Sequence, residues 1–210
     1  MIVDYYFGAG SRYSYLAATQ LAALGRETGA RFNWLAVDSA RLIAARRDNP
    51  FAAANGVGQY DWGYRRRDAE AWAELYGVPF REPHGRLALD SDLLSLACTA
   101  ARRLGAAETY TRALFRAIFV DDLTAVDRAV CVARAGAVGL DQTAFSAALD
   151  DPQTQVARER VLHQAMRLGV FGVPSFVVGE RLFWGNDRLV LLRHALLSPP
   201  HRPGAAATTL

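Results

Sequence analysis

Strand-like segments occur only near the two ends of this 210-residue chain, and helical patterns fill the stretch between them. Residues 2–7 and 32–37 are short runs rich in β-branched and aromatic side chains, which are typical of buried strands. Residues 175–178 and 181–184 have the same character and flank a turn at residues 179–180, which predicts a β-hairpin. A single sheet built from these segments would join the two ends of the chain.

A helix is expected directly after the first of these strands. The glycine-bearing turn at residues 8–10 ends the strand, and Ser11 stands where a helix N-cap belongs. An apolar stripe at helical spacing follows, up to a stop signal at Gly29. The strand at residues 32–37 then completes a strand–helix–strand unit whose crossover is long enough for parallel pairing.

Helical periodicity fills the middle of the chain, and no clear strand is expected there. A loop marked by Pro50 and Gly58 comes first. Helices are predicted at residues 60–76, 90–104, 107–119, 125–137, 143–149 and 151–168. A final helix is predicted at residues 188–197, where Asn186 or Asp187 can serve as the N-cap.

The order of elements is β-α-β, a helical block, and then α-β-β-α. This is the order of a thioredoxin-like domain into which a helical domain has been inserted, so the chain is assigned to the α/β class. We expect residues 1–38 and 152–198 to form the discontinuous thioredoxin-like domain. Residues 39–151 are then the all-α insertion, and residues 199–210, rich in Pro, Gly, Ala and Thr, form a flexible tail.

Composition argues against several classes of function. The chain is 51% hydrophobic and carries 24 basic and 21 acidic residues, for a net charge of +3. The basic residues are arginines scattered along the chain, a pattern that does not predict nucleic-acid binding but suits an anionic small molecule. Because neither a bilayer-spanning apolar run nor a signal-peptide pattern occurs, we expect a cytoplasmic protein that does not bind a membrane.

The two cysteines, Cys98 and Cys131, lie in apolar helical segments and do not form a C-x-x-C pair. Buried structural thiols are therefore expected, without a disulfide. The four histidines are far apart and no metal-binding spacing occurs, so no metal site is predicted.

Ser11 is the first of three places that can carry chemistry. At a helix N-terminus, the free backbone N–H groups and about half a unit of positive charge attract an anion, and the hydroxyl adds a hydrogen bond. A thiol held there would have its pKa lowered and would be present as a thiolate. The alternative is that Ser11 acts only as a helix cap. Ser14 lies further into the helix and is the weaker candidate.

The second and third places lie around the predicted hairpin. Pro174 directly precedes a strand, where it either selects a cis peptide bond or is an ordinary proline at a strand start. In a thioredoxin-type fold this turn faces the helix start, and the backbone N–H and C=O of Val173 would be free to pair with an extended peptide. Asn186 and Asp187 follow the hairpin and can bind the carboxylate and ammonium of a free amino-acid end, or act only as caps.

These stretches resemble those of a known family, the 2-hydroxychromene-2-carboxylate isomerases. That family belongs to the disulfide-oxidoreductase-A-like thioredoxin group and is related to the kappa-class glutathione transferases. The resemblance covers nearly the whole chain, up to Leu197. It is carried by the stretches YYFGAGSRYSYLA, YGVPF, FGVPSFVVG and FWGNDRL, of which the last two form a specific signature at their separation.

The resemblance implies a glutathione-dependent isomerase of aromatic compound degradation, with a small aromatic carboxylate as substrate. Ser11 would hydrogen-bond the glutathione sulfur, and Val173, beside a cis-Pro174, would offer its backbone to the cysteinyl unit. Asn186 and Asp187 would hold the γ-glutamyl end. The thiolate would add to the conjugated substrate, allow the former double bond to rotate, and leave again, so that glutathione is not consumed. Members of the family are commonly homodimers, which is also the expectation for this chain.

The chain departs from the family pattern in the first turn and in the loop that follows the second strand. The family usually has an acidic residue early in the turn and Ser-Pro at the active serine, whereas this chain has Gly8 and Arg12. Arg12, at the mouth of an anion site, can bind a substrate carboxylate or be exposed to solvent. Asn49 is expected to supply the usual asparagine contact to glutathione, while Val57 stands near the position of a missing family lysine.

Three other functions stay open on the sequence alone. A kappa-like glutathione transferase would use the same site but consume glutathione in forming a thioether. A thiol–disulfide oxidoreductase would need a redox cysteine at the helix start, where Ser11 stands. A non-catalytic glutathione-binding or partner-binding module would keep the site and lack turnover.

Overall fold

The strands predicted near the two ends of the chain meet in one four-stranded sheet. The computed structural model describes residues 1–45, 61–82, 88–121, 123 and 125–198. Its strands are β1 (Ile2–Phe7), β2 (Arg31–Ala36), β3 (Ala88–Leu89), β4 (Ala125–Val126), β5 (Ser175–Val178) and β6 (Arg181–Trp184). Its α-helices are α1 (Arg12–Thr28), α2 (Ser39–Ala44), α3 (Trp62–Tyr76), α4 (Ser91–Arg103), α5 (Ala107–Phe119), α6 (Arg128–Ala137), α7 (Gln142–Asp150), α8 (Pro152–Arg167) and α9 (Leu189–Leu197). A 3-10 turn at Asn186–Arg188 directly precedes α9.

β1 is an inner strand of the sheet, whose order is β2-β1-β5-β6. It pairs in parallel with β2, from Ile2 opposite Arg31 to Phe7 opposite Ala36. On its other side β1 runs antiparallel to β5, and β5 and β6 form the predicted antiparallel hairpin. This is the thioredoxin-like fold with a helical insertion, and it brings the end of β1 next to the start of β5.

The core beside β1 is built from aromatic rings. Tyr5 stacks on Phe7 and Phe176 with ring centroids 5.2 and 5.1 Å apart, and Trp34 meets Tyr5 edge-on at 5.0 Å. Phe115, from α5, packs against Phe7 at 5.8 Å. All five side chains are buried, so one hydrophobic core joins the sheet to the inserted helices.

The predicted strands and most of the predicted helices are confirmed, with small differences at their ends. The expectation of no strand in the middle of the chain was wrong, because β3 and β4 pair there in parallel. Two-residue strands are too short to show an alternating pattern. The six-residue helix α2 was missed for the same reason, since it is too short to show a helical stripe.

Some expectations fall on parts of the chain outside the described residues. The loop at Pro50 and Gly58 and the tail at residues 199–210 are among them. The division of the chain into two domains with the stated boundaries stays a prediction.

Candidate functional site

Ser11 caps helix α1, as predicted. Its backbone is extended, with φ −93° and ψ 119°, and its Oγ accepts a hydrogen bond from the Ser14 N–H at 3.3 Å. Among the described residues, the N–H groups of Arg12 and Tyr13 have no acceptor, and the first turn carries no acidic side chain. The start of α1 therefore presents open donors and the positive end of a helix dipole.

Ser14 has a structural role. It is fully buried, and its Oγ accepts a hydrogen bond from the Gly8 N–H at 3.3 Å. Its C=O accepts a hydrogen bond from the buried Tyr5 hydroxyl at 2.6 Å. These bonds connect the start of α1 to β1. Because Ser14 is buried and engaged in them, Ser11 is the serine that can contact a ligand.

The turn before β5 lies against the turn after β1. The Val173–Pro174 peptide bond is cis, and neither the N–H nor the C=O of Val173 bonds to another described backbone group. A Cβ atom added at Gly8 would lie 3.2 Å from Val173 Cγ2 and 3.3 Å from Ser39 Oγ. A Cβ atom at position 8 would therefore require the side chain of Val173 or Ser39 to shift by a few tenths of an ångström, which favours glycine at this position.

Asn186 and Asp187 do not cap α9, which contradicts the alternative that they act only as caps. Because Gly185, with φ 114°, leads the chain directly into the 3-10 turn, both residues lie inside the turn, and neither side chain accepts a capping bond. Asn186 is 3% exposed, and its Oδ1 accepts a hydrogen bond from the Tyr76 hydroxyl at 3.2 Å. Its Nδ2 has no acceptor among the described residues. Asp187 is exposed and pairs with Arg188.

Backbone contacts join the three stretches singled out in the sequence. The Gly185 N–H donates to the Pro174 C=O at 2.9 Å, which ties the 3-10 turn to the cis-proline. The Ser11 N–H donates to the Gly8 C=O at 3.0 Å, and Gly8 in turn meets Val173. The 3-10 turn also packs against α1. An open helix N-terminus, an unpaired backbone segment and a buried amide donor thus lie in one region.

Arg12 is buried, which contradicts the alternative that it is exposed to solvent. Its side chain is 5% exposed, and its Nη2 pairs with Glu82 Oε1 at 2.8 Å. The guanidinium lies 4.1 Å from the centre of the Trp62 ring, and Nη1 has no partner among the described residues. Burial lowers the pKa of Arg12, and the negative charge of Glu82 opposes that shift. A buried cation therefore lies one residue from Ser11.

Sequence reasoning missed Tyr76, Trp62 and Glu82 as residues of this region. Tyr76 lies in the YGVPF stretch that supports the family resemblance, so the sequence did contain a signal that could have identified it as a residue of the site. Trp62 and Glu82 carry no local signal, because Trp62 begins α3 and Glu82 follows that helix, so their contacts with Arg12 arise only in the folded chain. Asn49 lies outside the described residues.

Neither cysteine lies at the start of α1. Cys98 is in α4 and Cys131 is in α6, and their predicted burial is confirmed. Burial raises the pKa of Cys98 to about 12 and the pKa of Cys131 to about 11. Within the described parts of the chain, no group of His, Cys, Asp and Glu could hold a metal ion. No helix among those same residues is long and apolar enough to cross a bilayer.

Fold and site together define a thioredoxin-like protein with a helical insertion and a serine at the start of its first helix. The sequence model of the DSBA-like thioredoxin domain matches residues 2–197. The chain therefore belongs to the DSBA-like thioredoxin domain family.

The chain is similar along nearly its whole length to proteins with one shared name. A 2-hydroxychromene-2-carboxylate isomerase of Pseudomonas putida is 29% identical over 197 residues, which cover 93% of this chain and 94% of that protein. The isomerase of the same name from Sphingobium xenophagum is 30% identical, covering 93% of this chain and 97% of that protein. A solved structure of a 2-hydroxychromene-2-carboxylate isomerase, 29% identical, superposes with a TM-score of 0.78 and covers 93% of this chain and 94% of its own.

The buried thiols predict a pattern of chemical reactivity. In the folded protein at neutral pH, Cys98 and Cys131 should not react with Ellman's reagent, because their raised pKa values keep the thiols protonated and burial excludes the reagent. Both should react after unfolding in urea. The Ser11→Cys variant is the positive control, since a helix N-terminus lowers the pKa of a thiol and should make it reactive at neutral pH. Rapid reaction of either thiol in the folded wild-type protein would contradict this prediction.

Proposed function

We propose that this protein is a glutathione-dependent isomerase of the 2-hydroxychromene-2-carboxylate type, acting in the degradation of aromatic compounds. The observation that carries the proposal is the serine at the start of α1, which offers a hydroxyl and an open helix N-terminus beside the turn at Val173–Pro174. A thiol–disulfide oxidoreductase would need a thiol there, whereas both cysteines are buried in other helices. The isomerase name of the relatives supports the same function.

The residues of the site fit glutathione. The Ser11 hydroxyl and the open N–H groups of α1 suit its sulfur, and the unpaired N–H and C=O of Val173 suit its cysteinyl backbone. The Nδ2 donor of Asn186 and the carboxylate of Asp187 suit the carboxylate and ammonium of its γ-glutamyl end. When bound, glutathione supplies a nucleophilic sulfur that adds to a conjugated double bond and leaves again unconsumed.

In this proposal Ser11 and α1 control the acidity of the thiol. The Ser14 N–H donates to Ser11 Oγ, which leaves the hydroxyl hydrogen of Ser11 to donate to an anion. The positive end of the helix dipole favours the same negative charge, and no acidic side chain in the first turn opposes it. Both effects lower the pKa of a thiol held there.

We propose that Arg12 binds the carboxylate of the aromatic substrate. Its Nη1 is a buried donor without a described acceptor, and the ion pair with Glu82 fixes the guanidinium. The Trp62 ring lies against that guanidinium and also helps to hold it in place. A cation beside an aromatic ring suits a planar aromatic carboxylate.

Product analysis tests the reaction class. With a chromene carboxylate and glutathione, nuclear magnetic resonance should show the isomerised alkene and an unchanged amount of free glutathione. A stable thioether product would contradict the isomerase and favour a kappa-like transferase. Glutathione binding without turnover would instead favour a non-catalytic module. A cytoplasmic location and a homodimer also stay predictions.

Ser11→Gly tests the hydroxyl while largely keeping the cap, because glycine is only about a few tenths of a kcal/mol poorer than serine at an N-cap. The value of kcat/KM for isomerisation should fall about 10- to 100-fold, as expected for a lost hydrogen bond to a charged group. The onset of activity should also move to higher pH, because the thiolate is the reactive form and the pKa of its thiol rises without the donor. Steady-state assays across pH measure both effects.

Asp141→Gly is the matched control for Ser11→Gly. Asp141 caps α7 by accepting a hydrogen bond from the Ala144 N–H at 2.7 Å, and α7 contributes nothing to the site described above. Loss of this capping bond should leave both kcat/KM for isomerisation and its pH profile unchanged. Full activity of Ser11→Gly at neutral pH would remove the role assigned to Ser11.

A paired substitution tests Arg12, because Arg12→Gln alone would remove the positive charge that pairs with the Glu82 carboxylate. The double variant Arg12→Gln/Glu82→Gln replaces the ion pair by a neutral amide pair. Its KM for the carboxylate substrate should rise about 10- to 100-fold with little change in kcat. Glu82→Gln alone keeps the cation and removes a competing carboxylate, so its KM should stay the same or fall. An unchanged KM in the double variant would exclude Arg12 from substrate binding.

A further inference from the structure

Tyr76 brings the helical insertion into contact with the region around Asn186. It is the last residue of α3, and Gly77, with φ 62°, ends the helix directly after it. The ring of Tyr76 packs against Trp72 with centroids 5.4 Å apart. Its hydroxyl donates a hydrogen bond to Asn186 Oδ1 at 3.2 Å, so a residue of α3 reaches the turn that follows the hairpin.

This hydrogen bond decides which end of the Asn186 amide is available. Because Tyr76 already engages the oxygen, the NH2 group is the part of the amide that can bind a ligand. This NH2 group has no acceptor among the described residues. Asn186 is 3% exposed, so water has little access to that donor. A buried donor without an acceptor is unfavourable, and an acceptor atom on a ligand would relieve it.

The groups beside the amide indicate the class of ligand. An NH2 donor of this kind suits a carboxylate oxygen, and the exposed carboxylate of Asp187, the next residue, suits an ammonium. A molecule that carries both charges on one carbon has a free α-amino-acid end. Glutathione has such an end at its γ-glutamyl residue, and this assignment rests on the proposed function.

We propose that Tyr76 is a positioning residue for glutathione: its hydroxyl holds the Asn186 amide with the NH2 group directed at the α-carboxylate of the γ-glutamyl end. Tyr76 acts through Asn186 and does not itself contact the ligand. Burial raises the pKa of Tyr76, so its hydroxyl stays protonated and can donate at neutral pH.

Calorimetric titration with two ligands tests this role. The second ligand is 4-aminobutanoyl-cysteinylglycine, which differs from glutathione only in lacking the α-carboxylate. Tyr76→Phe keeps the ring and should weaken glutathione binding about fivefold, the effect of one hydrogen bond, while leaving the analogue's affinity unchanged. In isomerisation assays the same variant should raise KM for glutathione and leave kcat unchanged. Tyr64→Phe is the matched control, because Tyr64 lies on the same helix and is 49% exposed. It should change the affinity for neither glutathione nor the analogue.

Asn186→Asp provides a second variant that keeps an acceptor for the Tyr76 hydroxyl. It replaces the NH2 donor by a carboxylate, and repulsion between like charges should weaken glutathione binding by more than about tenfold. Equal weakening of both ligands by Tyr76→Phe, or no weakening at all, would overturn the positioning role and leave the proposed function standing. Failure of the wild-type protein to bind glutathione would overturn the proposed function and this inference with it.

Discussion

The site depends on how closely the end of β1 approaches the start of β5. Because β1 pairs with β5 inside the sheet, the turn after Phe7 and the turn before Ser175 leave the sheet side by side. Gly8 lets the two turns meet, since a Cβ atom there would lie 3.2 Å from Val173 Cγ2. That contact sets the spacing between the N-terminus of α1 and the unpaired backbone of Val173. A ligand that binds both groups would have to match this spacing.

The framework could be predicted because its signals are local. The Ser11 cap, the Gly29 stop and the hairpin turn each depend on residues close by in sequence, and all three are found in the structure. Element order then led to the thioredoxin-like topology, because crossover connections are short and right-handed. The Tyr76–Asn186 hydrogen bond could not be predicted in this way, since it joins residues 110 positions apart. Local periodicity carries no information about such a contact.

The burial of Arg12 could not be predicted from the sequence either, and the reason is energetic. An arginine is seldom fully buried, and the positive end of a helix dipole repels a cation in the first turn, so an exposed side chain was one of the two alternatives that the sequence left open. The side chain is buried because Glu82 pairs with it and Trp62 stacks on it. A buried ion pair is often no more stabilising than apolar residues of the same volume. Stability is therefore a weak reason for this pair, and a role in binding a charged substrate is a better one.

Two buried donors without a described acceptor belong to this region, Nη1 of Arg12 and Nδ2 of Asn186. Each sits on a side chain whose other polar end is already held, Arg12 by Glu82 and Asn186 by Tyr76. Because both groups are donors, ligands that satisfy them have to bring acceptors, and a carboxylate is a strong acceptor for such donors. In the proposed reaction, glutathione brings one carboxylate and the aromatic substrate brings the other. The two ligands then use different donors and do not compete, which an isomerase needs if it holds an unconsumed thiol and its substrate at the same time.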